Sequence, residues 1–120
     1  MDMNQFEKII EEAFNRIPRK FKKILEKENI RLLPRESVPA AVKDKFKNSI
    51  VFGVFIGVPH NKRSIFNIQS EPTRIELYKE SFVMAFTEQE EMETQIIKTV
   101  IHEIGHYFGF SEDELRNYLV

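Results

Sequence analysis

A chain of 120 residues, 42% apolar and with eleven Phe, suits one compact domain over residues 1–120 and leaves no room for separate catalytic and binding domains. The absence of Cys excludes a disulfide scaffold, a thiolate-held zinc and a thiol nucleophile, so a metal must be held by carboxylates and the three His. Eighteen basic against nineteen acidic residues give a net charge of −1, which offers no general attraction to nucleic acid or to an anionic membrane.

The opening MDMNQFEKIIEEAF lacks the basic start and apolar core of a secretory signal. No stretch approaches the roughly 18 apolar residues of a membrane span, and a soluble, cytoplasmic protein is expected. Phe6, Ile9, Ile10, Ala13, Phe14 and Ile17 recur at i, i+3, i+4 and i+7, predicting an amphipathic helix over residues 3–17. Pro18 ends it and starts a second short helix over residues 18–27. Between Arg16 and Arg31 lie seven basic residues against Glu26 and Glu28; without interleaved exposed aromatics or glycines this reads as a solvated face rather than a phosphate-binding one.

A strand is predicted from Asn29 to Leu33, closed by Pro34, and a short helix at most from Ser37 to Phe46. Residues 49–56, SIVFGVFI, are β-branched and aromatic on both parities, as in a central strand covered on both faces. Gly53 and Gly57 then mark close approach by another element. VPHNKRS reads as a polar loop, Ser64 to Gln69 as a weak strand, and EPT as a turn. Arg74 to Tyr78 alternates, with Ile75 and Leu77 on one side and Arg74, Glu76 and Tyr78 on the other, predicting an edge or half-exposed strand. Thr87 and Glu90 form a capping-box pattern before a long helix, which should end at Gly109. Ser111 and Glu114 repeat that pattern before a last short helix.

Residues 102–106 read His-Glu-Ile-Gly-His. At about 100° per residue His102 and His106 lie about 40° apart, one turn above the other, so both imidazoles can reach one ion. With Ile97 at zero, the stripe of Ile97, Val100, Ile101, Ile104 and Phe108 falls within about 60°, while His102, His106 and Glu103 turn away from it. Zinc suits two neutral imidazoles but needs a third protein ligand and an open position for water. Gly109 permits a turn that brings Glu112, six residues beyond His106, back beneath the metal; Asp113 is the next candidate and His60 the remaining one. The same acidic residues also suit the first turn of a helix capped by Ser111. Glu103 is placed to act as general base, so the chemistry expected is amide hydrolysis by a zinc-activated water.

His-Glu-Ile-Gly-His-Tyr-Phe-Gly-Phe-Ser-Glu-Asp-Glu-Leu resembles the minimal zincin-like metallopeptidase family, small stand-alone bacterial proteins with the signature H-E-x-x-H-x-x-G-x-x-D. Ile17-Pro18, Gly57-Val58-Pro59 and Arg74-Ile-Glu-Leu-Tyr78 extend the likeness over nearly the whole chain. The resemblance implies an α+β fold with a small mixed sheet, an N-terminal amphipathic helix, a long helix bearing the motif and a short C-terminal helix. It implies Zn2+, with His102, His106 and an acidic Glu112 as ligands and Glu103 as the catalytic base. Glu112 stands where the family has Asp and is one methylene longer. In related zincins an edge strand above the metal pairs with an extended substrate, and Arg74 to Tyr78 is the segment most like it.

The function expected is therefore a zinc-dependent metallopeptidase acting on a peptide or a flexible protein segment, with neither nucleic acid nor membrane as partner. The competing readings are a non-catalytic peptide-binding module with a weak or vestigial metal site, and an RNA-processing hydrolase suggested by the basic stretch.

Overall fold

The computed structural model describes residues 1–57 and 73–119, the side chains of 112 and 117–119 excepted. Its elements are α1 (Met3–Arg16), α2 (Arg19–Lys27), β1 (Arg31–Arg35), α3 (Ala40–Lys45), β2 (Gly53–Ile56), β3 (Arg74–Tyr78), α4 (Lys79–Ala85), α5 (Gln89–Phe108) and α6 (Glu112–Leu119). The predicted loop over residues 58–64, the weak strand over 64–69 and the position of His60 lie outside the described residues.

The fold is α+β, with several helices on a mixed three-stranded sheet of order β1-β3-β2 among the described residues. β3 runs parallel to β1 and antiparallel to β2, with Leu32 opposite Ile75 and Phe55 opposite Ile75 on the other side. The sheet face bearing Ile75 and Leu77 packs on α1 and α5, which lie against one another. α1 contributes Phe6, Ile9, Ile10 and Ala13, as its apolar spacing predicts, and α5 contributes Met92, Ile96, Val100, Ile101 and Ile104. Each such large side chain removed from water stabilises the fold by about 1.5–3 kcal/mol. Asp2 caps α1, accepting from the Gln5 N–H at 2.8 Å while its own N–H donates to Gln5 Oε1 at 2.8 Å.

Two strand assignments change. Arg74–Tyr78, expected at an edge, is the central strand, and the expected central strand is shortened to Gly53–Ile56 and pairs with β3 alone among the described residues. The alternation of β3 misleads because its polar residues are also covered. Glu76 is 5% exposed, yet its Oε2 accepts from Arg74 Nε at 2.9 Å and Arg35 Nη2 at 3.1 Å, so the charge is paired where water is excluded. β2 is apolar on both parities for a different reason. Phe55 lies on α5, where its ring stacks on Tyr107 at 4.2 Å, while Phe52 ahead of the strand stacks on Phe86 at 5.7 Å.

Other boundaries move by local chemistry. Asn29 does not begin a strand: it takes φ 53 and closes α2, with the Ile30 N–H returning to Leu25 O at 2.8 Å. Pro34 does not end β1 but lies within it. The Arg31 N–H donates towards β3, to Thr73 O, so by alternation the position of Pro34 faces the unpaired side and its missing N–H costs no ladder bond. Pro18 is the N-cap of α2 rather than its first residue. α4, between β3 and α5, lacks a signal long enough to stand out in the sequence; it is held by Phe82, whose ring lies 5.5 Å from Phe6 and 5.0 Å from Phe52. The Thr87 capping box does not form, because α5 begins at Gln89 with Glu88 as N-cap and no side-chain cap bond. The Ser111 box does form, with the Glu114 N–H donating to Ser111 Oγ at 3.1 Å and the Ser111 N–H to Glu114 Oε1 at 3.2 Å.

Gly53 explains how α5 meets β2. A Cβ there would stand 2.6 Å from Glu76 O and 3.2 Å from Thr99 Cγ2, so the glycine lets α5 cross directly against the strand. That crossing carries the next turn of α5, with His102 and Glu103, beneath the outer edge of β2.

Candidate active site

α5 presents one polar stripe. Gln95, Lys98, Thr99, His102, Glu103 and His106 fall on consecutive turns of the same side, and all but His106 line a groove between α5 and the segment leading into β2. His102 and His106 are exposed, and their Nε2 atoms point at one another across 2.9 Å with the rings 76° apart. Two nitrogens sharing a tetrahedral zinc at about 2.0–2.1 Å lie about 3.3 Å apart, so this pair is arranged to fit such an ion with little movement.

Glu103 departs from the expectation that the polar triplet as a whole faces away from the core. It is half-buried, because Ile96 and Thr99 on its flank of α5 are covered by the sheet. The Phe55 N–H donates to Glu103 Oε2 at 3.3 Å. The Tyr78 N–H donates to Phe52 O, so the backbone of Phe52 faces β3, and by alternation that of Phe55 faces outward. The carboxylate thus holds an edge amide of β2. Burial pushes the Glu103 carboxyl above its ordinary range, opposed by the Phe55 N–H and by the two imidazoles. A carboxyl raised in this way holds a proton more tightly than an exposed one does.

The acidic residues after the helix differ in their placement. Asp113 is exposed, with Oδ1 3.4 Å from Arg116 Nη1, and Glu114 is engaged in the Ser111 box. The backbone of Glu112 opens α6, while its side chain, like His60, lies outside the described residues. Among the described residues no three His, Asp or Glu side chains gather around one point.

Gly109 and Gly105 set where α6 stands. Gly109 takes φ 76 as the helix end requires, with the Phe110 N–H returning to Gly105 O at 2.8 Å. Phe110 then folds back against the edge of Phe21, with ring centroids 5.9 Å apart. Gly105, between the two histidines, is a notch for Leu115: a Cβ there would stand 2.5 Å from Leu115 Cδ2 and 3.0 Å from its Cγ. Gly105 takes part in neither the apolar stripe nor the caps that periodicity predicts. Its signal was nonetheless present, since a glycine inside a helix costs about 1 kcal/mol against alanine and so implies a packing reason. The Phe55 amide has no such signal, because any residue supplies it.

The scaffold is thus α+β, and its polar cluster pairs two imidazoles with a carboxylate on one helix beside a sheet edge. Residues 29–119 match the family model described as Zincin-like metallopeptidase, and the chain belongs to that family. No curated protein matches the chain. No helix among the described residues is long and apolar enough to cross a membrane.

Proposed function

We propose that the protein is a zinc-dependent peptidase in which His102, His106 and Glu112 hold the metal and Glu103 is the general base. The observation that carries this reading is the convergence of the His102 and His106 Nε2 atoms within 2.9 Å, one residue from a carboxylate held by the edge of β2. Bound zinc supplies Lewis acidity, making water a nucleophile near neutral pH and polarising the scissile carbonyl. Glu103 takes a proton from the attacking water and delivers it to the departing amine nitrogen as the C–N bond breaks. The raised affinity of its carboxyl for a proton supports the first of these transfers. Glu112 is assigned as the third ligand from its place in the first turn of α6, the helix that Leu115 seats on Gly105.

The substrate is an extended peptide or flexible segment lying along the outer edge of β2, in place of the edge role expected for Arg74–Tyr78. Its backbone pairs with the outward groups of Gly53 and with the Phe55 carbonyl. The second reading, a peptide-binding module with a weak metal site, is favoured by the presence of only two converging nitrogen donors among the described residues. Metal analysis and hydrolysis of a peptide library separate the two. Glu103→Gln should retain stoichiometric zinc while turnover falls by about 10²–10⁴-fold, and His106→Ala and Glu112→Ala should lose the metal. Retained cleavage in Glu103→Gln removes the mechanism, and zinc binding indifferent to Glu112→Ala removes the third ligand.

A further inference from the structure

The groove beside the histidine pair has a volume of about 570 Å³ and a chemically uneven lining. One wall is apolar, formed by Phe46, Ile50, Val51 and Phe52, with Phe46 40% and Ile50 49% exposed. The other is the polar stripe of α5, on which Lys98 is the one lysine or arginine lining the groove among the described residues. Lys98 is exposed and makes no ion pair with any of the described residues. Glu103, the one carboxylate of the lining among the described residues, already accepts the Phe55 N–H. The groove therefore sets a lysine that has no ion pair among the described residues beside exposed apolar surface.

Spacing converts this into a position on a substrate. Lys98 precedes His102 by four residues, about 6 Å along the helix axis. An extended chain advances about 3.3 Å per residue, so a group held at Lys98 lies about two residues from a carbonyl at the histidine pair.

We propose that Lys98 is a specificity-determining residue that selects a carboxylate side chain about two residues from the scissile bond, next to a large apolar side chain resting on Phe46 and Ile50. A side chain fits better than a chain end. Lys98 also stands at the rim of a second hollow, lined by Glu88, Glu90 and Glu91, which repels a chain end continuing into it but lets an uncharged internal backbone pass on. The proposal rests on the peptidase reading for the place of the scissile bond, but its test reads binding, not turnover.

The probes are labelled octapeptides, acetylated and amidated, with one Phe in an alanine background and Glu, Gln or Lys stepped along the remaining positions. Fluorescence anisotropy is measured on the zinc-loaded Glu103→Gln protein, alone and combined with Lys98→Ala or Lys98→Glu, after circular dichroism shows each variant folded. Peptides with Glu at one spacing from Phe should bind about three- to fivefold more tightly than their Gln counterparts, the range an exposed ion pair supports. Lys98→Ala should remove that preference, and Lys98→Glu should transfer it to the Lys peptides. An equal affinity for Glu and Gln, a preference that survives Lys98→Ala, no binding at all, or tight binding confined to peptides with a free C-terminus would overturn the proposal. Cleavage by the wild-type protein without charge preference sinks this inference and leaves the peptidase reading standing. Charge-selective binding without cleavage sinks the peptidase reading and leaves Lys98 as the determinant of which peptide is bound.

Discussion

At the scale of single residues, Glu76 and Tyr78 show how a strand written as half-exposed comes to lie in the middle of a sheet. Two guanidiniums share one carboxylate oxygen of Glu76, and Tyr78, two residues on, is wholly buried. The Tyr78 hydroxyl finds no hydrogen-bond partner among the described residues. Burial, and then the nearby Glu76 carboxylate, push its pKa from 10.0 up to about 12. Its neutral form is therefore favoured by the native fold. The stability this contributes is complete below pH 10 and is lost as the pH rises from 10 towards 12, by at most about 1.4 kcal/mol per pH unit. Tyr78→Phe should abolish that component of the alkaline loss in urea unfolding between pH 9 and 12. It should also leave neutral-pH stability within about 1 kcal/mol, since an unpartnered hydroxyl is removed and the ring remains. An alkaline slope identical in Tyr78→Phe and wild type would assign the effect to other groups.

At the scale of elements, the hinge between α5 and α6 joins packing to chemistry. Leu115 is 1% exposed and rests in the notch left by Gly105, one residue before His106. Gly105→Ala forces either Leu115 or the whole of α6 to shift, at a cost of about 1–3 kcal/mol. Because Glu112 and Leu115 share α6, the same shift should weaken zinc binding. Leu115→Ala alone should cost about 2–5 kcal/mol by leaving a cavity. Combined with Gly105→Ala, it should cost less than the two single changes summed, since the added methyl then enters space that the leucine vacates. Chemical denaturation of the four proteins measures this coupling, and strict additivity would mean that the notch does not hold α6 in place. The cap of α6 was legible in the sequence, because Ser111 and Glu114 need only each other. The cap of α5 was not. Thr87 and Glu90 match the same pattern, but Glu88 takes the N-cap position and α5 begins at Gln89.

At the scale of the whole molecule, the family match begins at residue 29, whereas the core does not. Phe6, Ile9, Ile10, Ala13 and Ile17 form one cluster with Ile96, Val100, Ile101 and Ile104 of the helix that carries the histidines. Removing residues 1–28 would expose that face of α5, and the shortened protein should show no cooperative thermal transition in circular dichroism. A transition within a few degrees of the full chain would show that α1 and α2 are dispensable. The sequence alone determined what depends on neighbours along the chain: the amphipathic α1, the reach of α5 to Gly109, the Ser111 cap, and the side of α5 shared by His102 and His106. Helical periodicity and local capping decide each of these within a few residues. Tertiary structure decided what depends on residues far apart: β3 rather than β2 at the centre of the sheet, Glu103 turned against the Phe55 amide, Leu115 seated on Gly105, and Lys98 facing an apolar wall. A central place for β3 requires that the buried Glu76 be paired, and Arg74 of its own strand supplies only part of that pairing. Arg35, which neutralises Glu76, lies 41 residues away in the chain, a separation that no local pattern spans.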